Sequence, residues 1–459
     1  MLKKGNILEV EIIDLNHEAQ GVAKLDSFVV FVHGAVTGDI VRAEITEVKK
    51  NYAVGKLLEI TKSSEKRIIS PCTHFGECGG CQLMHMDYSA QLDYKKNRVC
   101  TELKRAGVST GNAEIYDTIG MEEPFRYRNK TAFSVTDRNN EVHIGPYEQG
   151  TYNTVDMEGC LIQTHEADEA VMLFKALMTK YSIPAYDKKT GSGIIRNIII
   201  RNNRKNQLML IIVTTTEDFK NKKQLVNELA ASGGNIKTIV QNINNKQTNL
   251  IMGKKSITLY GEGTITDTID DLTFTISPET FFQVNPHQTE KMYKTAIEYA
   301  DIKETDTCFD IYCGIGTISL MAAKHAKKVY GIEIVEQSII NARENALTNN
   351  ITNTEFLAAK AEQAVPRLYK QGIKADIVIV DPPRKGCEKE VIDTIIRMSP
   401  ARIVYVSCNP STLARDIKHL EEGGYELKKV QPLDMFPWSV HVECVVLMSR
   451  VEKWEYTKH

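Results

Sequence analysis

The chain has 459 residues, of which 42% are hydrophobic and 25% charged, and its formal net charge is −2. This length predicts about three domains, and the composition is that of a folded globular protein. No apolar run approaches the roughly 20 residues that span a bilayer, the N-terminal lysines lack the apolar segment of a secretory signal, and ten cysteines are too few for a disulfide scaffold. We therefore expect no membrane association and a reducing cytoplasm, and the net charge gives no global attraction to nucleic acid.

Short β-rich runs separated by Gly- and Asp-bearing turns occupy the first 60 residues. In the third run Val41, Ala43 and Ile45 alternate with polar residues, which is the pattern of a half-exposed strand. About five strands in this length predict an OB-type barrel over residues 1–59, a common nucleic-acid-binding fold, although purely structural barrels share the pattern. The runs lie at 7–15, 28–32, 41–48 and 52–60.

Three cysteines follow in one short segment that also contains glycines. Cys72, Cys78 and Cys81 have the spacing C-x5-C-x2-C, and Cys160 could supply a fourth thiol. Four thiolates bind zinc or an iron-sulfur cluster equally well, so spacing alone does not choose the metal. We prefer a metal centre to free thiols because clustered cysteines in a reducing compartment are seldom accidental. The surrounding region, 60–272, is predicted to be an α+β domain with a helix at 166–180 and strands near 193–200 and 208–213.

Strand and helix patterns alternate regularly in the last part of the chain. They predict a doubly wound, Rossmann-like α/β domain over residues 273–459. A βαβ series of this kind predicts a parallel sheet that binds its ligand at the carboxyl ends of the strands. The predicted strands lie at 307–311, 328–332, 354–358, 376–380, 402–406, 425–430 and 440–449.

A glycine-bearing loop follows the first of these strands. Residues 310–317 read DIYCGIGT, and glycines allow a ligand to approach the backbone closely. Glu333 ends the next strand about 20 residues later, where a carboxylate can accept both ribose hydroxyls. Because the third glycine of a dinucleotide motif is missing, the loop favours the adenosine of a methyl donor. An ordinary βα turn with a surface glutamate is the alternative.

Asp381 begins the sequence DPPR, directly after another predicted strand. It places a carboxylate at the same edge of the sheet. Enzymes that methylate exocyclic amines usually carry an aromatic residue after the two prolines, whereas the guanidinium of Arg384 suits phosphate or carbonyl groups. An amine-directed nucleic-acid methyltransferase is therefore the second choice.

Cys408 and Glu443 are the candidate reactive pair. Cys408 lies between a predicted strand and a helix that begins near Pro410, and a helix N-terminus favours the thiolate form. Carbon 5 of uracil accepts a methyl group only after a nucleophile has added to carbon 6, and a base must then remove the proton from carbon 5. We expect Cys408 to attack and Glu443, on the strand 440–449, to act as the base. A buried structural thiol and a solvated glutamate are the alternatives.

Together these motifs resemble the RNA uracil-5-methyltransferase family, in particular its iron-sulfur-containing bacterial members that act on 23S ribosomal RNA. The likeness covers nearly the whole chain. It implies a class I S-adenosylmethionine-dependent methyltransferase fold with an N-terminal TRAM barrel, and RNA as the partner. It also implies a [4Fe-4S] cluster held by the four cysteines, with zinc as the alternative. The segments that carry the likeness are 1–59, 72–81, 277–285, 310–316, 381–384, 407–410 and 441–443.

The resemblance also assigns roles to single residues. It makes Cys408 the nucleophile and Glu443 the proton acceptor. Uracil is preferred over cytosine, because cytosine-5-methyltransferases place a cysteine directly after a proline beyond the fourth strand. A transfer RNA T-loop uridine as substrate and a non-catalytic RNA-binding or redox module are the remaining alternatives, and we expect a monomer. The residues implied to contact S-adenosylmethionine are Gln283, Tyr312, Glu333 and Asp381.

Overall fold

The computed structural model describes residues 2–25, 28–139, 141–232 and 235–451. These residues form an N-terminal six-stranded sheet, a central six-stranded sheet, a two-stranded hairpin and a C-terminal eight-stranded sheet. No helix in the described ranges combines the length and the apolar character that crossing a membrane requires.

The N-terminal sheet closes into a barrel. Its strands are β1 (Ile7–Glu11), β2 (Asp14–Leu15), β3 (Gly21–Leu25), β4 (Phe28–Val32), β5 (Ile40–Val48) and β6 (Tyr52–Lys62). Strands β1 and β2 are the halves of one bent strand, and because β1 pairs with β5 while β2 pairs with β3, the sheet has no free edge there. Val41, Ala43 and Ile45 point into the barrel core, as the alternation predicts. The predicted N-terminal barrel is confirmed.

The central region is built around a mixed sheet in the order β13-β12-β11-β10-β8-β9. Helices α2 and α3 cover one of its faces, where Phe174 and Leu225 join Ile198 and Leu210 in a common core. The elements of this region are α1 (Tyr88–Arg105), β7 (Glu114–Ile115), β8 (Lys130–Arg138), β9 (Glu141–Gly145), α2 (His165–Lys180), β10 (Ile195–Asn202), β11 (Leu208–Thr214), α3 (Lys222–Ala231), β12 (Ile236–Ile243), β13 (Lys255–Tyr260), β14 (Ile265–Ile269) and β15 (Leu272–Ile276).

The C-terminal region is the predicted doubly wound α/β fold. Its sheet has the order β18-β17-β16-β19-β20-β22-β21-β7. The elements are α4 (Pro286–Ala300), β16 (Thr307–Ile311), α5 (Thr317–Ala323), β17 (Lys328–Glu333), α6 (Glu336–Thr348), β18 (Thr354–Ala358), α7 (Ala361–Lys370), β19 (Ile377–Val380), α8 (Lys389–Met398), β20 (Arg402–Ser407), α9 (Pro410–Glu422), β21 (Tyr425–Leu433) and β22 (Glu443–Arg450).

The last strand departs from the prediction in two ways. Strand β22 begins at Glu443 and not at residue 440, so His441 lies in the preceding loop. It also runs antiparallel to both β20 and β21, whereas the pattern predicted a parallel sheet. The physical reason is the connection, because parallel neighbours need a crossover and 434–442 contains no helix.

Apolar side chains on both faces make this sheet a rigid support. In β19, Ile377 and Ile379 pack into the core on one face while Val378 and Val380 pack into the core on the other. Such a continuous apolar run is typical of a strand that helices cover on both sides. The ends of the central strands therefore hold their side chains in fixed positions.

Two elements from upstream of residue 272 pack onto this sheet. Strand β7 pairs with β21, and Val99 and Leu103 of α1 share a core with Leu413 of α9 and Leu427 of β21. Helix α1 is thus part of the layer that supports the C-terminal sheet. The division into domains 1–59, 60–272 and 273–459 stays a prediction.

Candidate active site

The loop after β16 has the backbone of a ligand-binding turn. Tyr312 has a φ of 71°, and Gly316, the N-cap of α5, has a φ of 84°. Glycine adopts this conformation freely, whereas a tyrosine holds it only when its surroundings enforce it. A Cβ atom on Gly316 would lie 3.2 Å from the Cβ of Ala342 and 3.1 Å from the Cζ of Phe356. The loop is therefore tightly packed as well as strained.

Glu333 is tied to this loop by hydrogen bonds. Its Oε2 accepts from the backbone N–H of Gly314 at 3.3 Å, and its Oε1 accepts from that of Val335 at 2.9 Å. The carboxylate thus lies at the rim of the glycine loop, at the carboxyl end of β17, as the sequence spacing predicts.

A small cavity brings three of the four predicted cofactor residues together. Gln283, Tyr312 and Asp381 line it, together with loop residues 313–315 and the first two residues of α5. Tyr293 of α4 lines it too, and burial together with the charge of Asp381 raises the pKa of its hydroxyl. Sequence reasoning does not single out Tyr293, because an aromatic residue on the apolar face of a helix looks like an ordinary core residue.

Asp310 is a second residue to which no role was assigned. Its Oδ2 accepts a hydrogen bond from Ser319 Oγ at 2.5 Å, and its buried Oδ1 has no partner among the described residues. Burial raises the pKa of Asp310 to about 7, and burial together with the charge of Asp310 raises that of Asp381 to about 7. An unsatisfied acceptor beside the glycine loop fits the ammonium group of S-adenosylmethionine, which would donate to it and favour ionised carboxylates.

Cys408 directly follows β20, and Glu443 begins the adjacent strand β22. Because Ser407 pairs with Cys444 in the antiparallel ladder of these strands, Cys408 comes opposite Glu443. Asp381 follows β19, which is the other neighbour of β20. The thiol and both carboxyl groups therefore meet at one edge of the sheet.

The environment makes Cys408 less acidic, contrary to the predicted effect of the helix N-terminus. Burial, with the charges of Glu443 and Asp381, raises the pKa of the Cys408 thiol to about 11, and Arg384 opposes the rise. The N-terminus of α9 is also engaged locally, since the side chain of Asn409 accepts from the N–H of Ser411. Burial and two neighbouring carboxyl groups therefore raise the pKa of the thiol by more than the helix N-terminus lowers it.

Glu443 is shifted in the same direction. Burial raises its pKa well above the ordinary value, the charge of Asp381 adds to the rise, and Arg384 again opposes it. Strand β22 lies between β20 and β21, so Glu443 is not the solvated edge residue of the alternative interpretation. A buried carboxyl group with a raised pKa beside a thiol is a feature more typical of reaction centres than of stable cores.

The four predicted metal-binding cysteines surround one cavity. Cys72, Cys78, Cys81 and Cys160 all line a cavity of about 320 Å³. This cavity also reaches the sheet edge, where it is lined by Arg384, Phe436 and His441. Burial lowers the pKa of His441 to about 4, and neighbouring cations contribute, so its ring is neutral at pH 7.

The chain fixes the fourth cysteine from outside the cavity. Arg126, itself in the left-handed region with a φ of 54°, donates through Nη1 to the carbonyl of Cys160 at 2.7 Å and to Asp168 Oδ2 at 2.6 Å. Asp168 Oδ1 in turn accepts from the N–H of Cys160 at 3.0 Å. Arg126 therefore positions the segment that carries Cys160.

The chemistry of these thiols fits a metal group. Burial, followed by the proximity of other thiols, raises the pKa of Cys78 and Cys81, and burial also raises that of Cys160. Buried thiolates become favourable when metal cations compensate their charge. In the ranges that the structure describes, however, no group of three or more His, Cys, Asp or Glu side chains has an arrangement that could hold a metal ion. The metal centre stays a prediction.

Comparison with known proteins agrees with this geometry. The sequence model of the tRNA (Uracil-5-)-methyltransferase family matches residues 87–451, and that of the TRAM domain matches residues 2–58. An uncharacterized RNA methyltransferase of Clostridium acetobutylicum is 46% identical over 454 residues, which are 98% of this chain and 99% of that protein. One from Listeria innocua is 45% identical over 450 residues, with 98% and 99% covered.

A solved structure is similar over almost the whole chain. It is the Pyrococcus abyssi tRNA (uracil-54, C5)-methyltransferase in complex with S-adenosyl-L-homocysteine, with a TM-score of 0.77 and 26% sequence identity. The similarity covers 96% of this chain and 100% of that one. With a glycine loop, an acidic residue after the second strand and a thiol beside a carboxyl group at one sheet edge, this chain is an S-adenosylmethionine-dependent RNA methyltransferase that belongs to the tRNA (uracil-5-)-methyltransferase family and carries a TRAM domain.

Proposed function

We propose that the protein methylates carbon 5 of a uridine in 23S ribosomal RNA through a covalent bond between Cys408 and carbon 6 of the base. The observation that carries this proposal is the juxtaposition of Cys408 and Glu443 across β20 and β22, with Asp381 and Arg384 beside them. A nucleophile and a base on neighbouring strands are what C5 methylation requires, and methylation of an amine requires neither.

The methyl donor would lie at the glycine loop. S-adenosylmethionine supplies an electrophilic methyl group when it is bound. Glu333 would accept hydrogen bonds from the ribose. Oδ1 of Asp310, which has no hydrogen-bond partner among the described residues, would accept one from the ammonium group. The residues proposed to contact the donor remain Gln283, Tyr312, Glu333 and Asp381, with Asp310 added by the structure.

The reaction would proceed in two stages at the sheet edge. Cys408 loses its proton, its sulfur forms a bond to carbon 6, and the ring becomes an enolate that can accept the methyl group at carbon 5. Glu443, as a carboxylate, then removes the remaining proton from carbon 5. The electrons of that C–H bond re-form the double bond while the bond from sulfur to carbon 6 breaks and Cys408 leaves as a thiolate. Arg384, whose charge favours the ionised form of both groups, is suited to stabilise these states.

RNA that carries 5-fluorouridine tests the covalent step. Fluorine at carbon 5 is not removed by a base, so an enzyme of this kind should be trapped as a protein–RNA complex that survives denaturant. Cys408→Ala should form no complex, while Cys308→Ala, which removes a buried thiol of β16, should still form one. Trapping by Cys408→Ala would disprove the assignment of the nucleophile.

The RNA substrate is the finer part of the proposal. The cysteine pattern resembles that of relatives that act on 23S ribosomal RNA, whereas the similar Pyrococcus abyssi protein is named for tRNA uracil-54. Purified protein should be given 23S ribosomal RNA and tRNA that both lack 5-methyluridine. We expect the modified base in the ribosomal RNA, and its appearance only in tRNA would overturn the choice. Sedimentation of the same protein, with and without RNA, should show the expected monomer.

We further propose that Cys72, Cys78, Cys81 and Cys160 hold a [4Fe-4S] cluster. The support is that the four cysteine thiols line one cavity, which is the ligand set of such a cluster, and that the relatives that this cysteine pattern resembles hold one. Iron and sulfide analysis of protein purified without oxygen should show about four of each per chain. Cys81→Ser should lose both, and Cys100→Ser should retain them. Stoichiometric zinc would overturn the proposal.

A further inference from the structure

The segment 434–442 determines where the proposed base lies. It joins β21 to β22 and ends directly before Glu443. The ladder of these strands stops at the pair Leu433 and Glu443, so Asp434 is the first residue beyond the pair that fixes the base. Any group that holds Asp434 also limits the movement of Glu443.

Helix α1 holds the first part of this segment through a buried ion pair. Lys95 and Asp434 both have side chains with 0% exposure, and Lys95 Nζ donates to Asp434 Oδ1 and, at 3.1 Å, to the carbonyl of Phe436. Tyr88 Oη donates to the other carboxylate oxygen of Asp434 at 2.9 Å. Because desolvation of two charges offsets much of their attraction, a buried pair of this kind is better explained by a positioning role than by stability.

The same helix holds the second part of the segment. Gln91 Oε1 accepts from the N–H of Trp438 at 3.2 Å, and Arg98 Nη1 donates to the carbonyl of Val440 at 2.5 Å. Residues 434, 436, 438 and 440 of the segment are therefore each hydrogen-bonded to a side chain of α1. The helix residues that make these contacts are Tyr88, Gln91, Lys95 and Arg98. They are three, four or seven positions apart and therefore lie on one face of α1.

The segment has a conformation that needs such support. Trp438 has a φ of 71°, which a bulky side chain rarely adopts. Its carbonyl accepts from the N–H groups of Gln82 and Leu83 at 3.0 and 2.9 Å, and its indole donates to the carbonyl of Pro124 at 2.7 Å. A strained backbone conformation of this kind persists only where several independent contacts hold it in place.

Cys408 is held by different elements. It follows β20, and the adjacent Asn409 donates to the carbonyl of Arg384 at 2.9 Å. None of the described contacts between α1 and the segment includes Cys408. Loosening the segment should therefore disturb Glu443 more than the nucleophile.

We infer that Lys95, acting through Asp434, is a positioning residue that holds Glu443 in place to remove the proton from carbon 5. The inference rests on the proposed function, since it assumes that Glu443 is the base. It separates the two stages of the reaction, because attack by Cys408 should survive a loss of Lys95 while release of the product should not.

Lys95→Met tests the inference, since it removes the charge and keeps most of the length. With uridine RNA and S-adenosylmethionine, the variant should accumulate a methylated protein–RNA complex that wild-type protein releases. Product release should slow by at least about tenfold. This is a fraction of the roughly 10²–10⁴-fold rate acceleration that a correctly positioned base contributes. Trapping with 5-fluorouridine RNA and S-adenosylmethionine, which needs the attack and the methyl transfer but not the base, should stay within about twofold of wild type.

Two further variants keep the test decisive. If a lone buried carboxylate prevents folding, Lys95→Met combined with Asp434→Asn removes both charges and should show the same accumulation. Arg67→Met is the matched control, because it breaks an ion pair with Asp39 whose side chains are 16% and 0% exposed, in the barrel. It should lower stability without accumulating the complex.

Four results would give clear answers. Release at the wild-type rate by a folded Lys95 variant would overturn the inference. Equal slowing of trapping and release, or accumulation in Arg67→Met as well, would also overturn it, since both indicate a general loss of structure. Failure of the wild-type protein to be trapped would instead refute the proposed function, and so the two failures are distinguishable.

Discussion

Burial changes the acidity of the two residues proposed to react with uracil. Both Cys408 and Glu443 need to lose a proton before they act, yet the protein holds each pKa above its ordinary value. Arg384 is the nearby cation that favours the ionised form of both groups. An RNA base that displaces water and brings Arg384 closer would change this balance only when substrate is present.

A rise of activity with pH follows from these shifts. Attack requires the Cys408 thiolate, and with a pKa of about 11 the thiolate fraction grows about tenfold for each pH unit below that value. The rate of trapping by 5-fluorouridine RNA, measured in single turnovers from about pH 7 to about pH 9, should therefore increase throughout. A flat or falling rate would show that the thiol is already ionised.

Arg384→Gln should slow trapping at every pH in this range. Loss of its charge removes the influence that lowers the pKa of Cys408. Lys385→Gln is a suitable control, because Lys385 is exposed and pairs with Glu388 away from the thiol. Equal rates for Arg384→Gln and wild type would contradict the role of the guanidinium.

Glu443→Gln should separate the two stages of the reaction. The amide cannot take the proton from carbon 5, so the methylated protein–RNA complex should accumulate and turnover should fall by about 10²-fold or more. Denaturing electrophoresis with labelled methyl donor measures both. Glu426→Gln, which changes a half-buried glutamate of β21 that pairs with Lys428, should turn over normally. Normal release of product by Glu443→Gln would exclude Glu443 as the base.

Residue types and spacing were enough to predict the reactive pair but not all of its surroundings. Cys408 and Glu443 could be recognised because a thiol and a carboxylate that both lie near strand ends form a combination with few functions other than catalysis. Tyr293 and Asp310 did not, since their roles depend on which side chains face them across the cavity. The pKa of Cys408 was predicted in the wrong direction, because only the structure places two carboxyl groups beside the thiol.

At the scale of elements, the cofactor loop depends on the backbone of Gly316. A side chain there would have a strained φ and would meet Ala342 and Phe356. Gly316→Ala should destabilise the loop by about 1–2 kcal/mol and raise the KM for S-adenosylmethionine. Gly372 has a similar φ of 80°, with nothing within 4 Å of an added Cβ, so Gly372→Ala should cost stability alone. Calorimetry and initial rates distinguish the two, and an unchanged KM in Gly316→Ala would contradict the placement of the donor.

Long apolar strands were easier to predict than short or late ones. Strands β16, β19 and β20 lie at their predicted positions because burial on both faces makes them nearly continuous apolar runs. Strand β7 and the hairpin of β14 and β15 gave no clear signal, as short strands depend on distant pairing. The start of β22 was predicted at residue 440 because Val440-His441-Val442 alternates like a strand, although α1 holds Val440 in the loop.

At the scale of the whole molecule, helix α1 links the barrel to the catalytic sheet. Its Ala90 and Tyr94 pack with Leu15 and Val36 of the barrel region, while Val99 packs on the sheet. No helix was predicted over residues 88–105, and contacts between elements far apart in the chain leave no local pattern, so this link was not predicted from sequence. It gives the TRAM barrel a defined position relative to the site.

The barrel should contribute to RNA affinity and not to chemistry. Lys49 and Lys50 are exposed in the turn between β5 and β6. Changing both to Gln should raise the KM for RNA and leave kcat unchanged. The slope of log affinity against log salt concentration should become shallower by the equivalent of up to about two phosphate contacts. Lys303→Gln, at the opposite end of the catalytic sheet, should have no effect. A fall in kcat with unchanged KM would contradict this division of roles.

Mass spectrometry of the trapped complex tests the central claim most directly. The wild-type protein, trapped on 5-fluorouridine RNA in the presence of S-adenosylmethionine, would be digested with nuclease and protease and its peptides sequenced. We predict that a methylated fluorouridine nucleotide is attached to Cys408. Attachment to any other residue, or no covalent complex at all, would contradict the account.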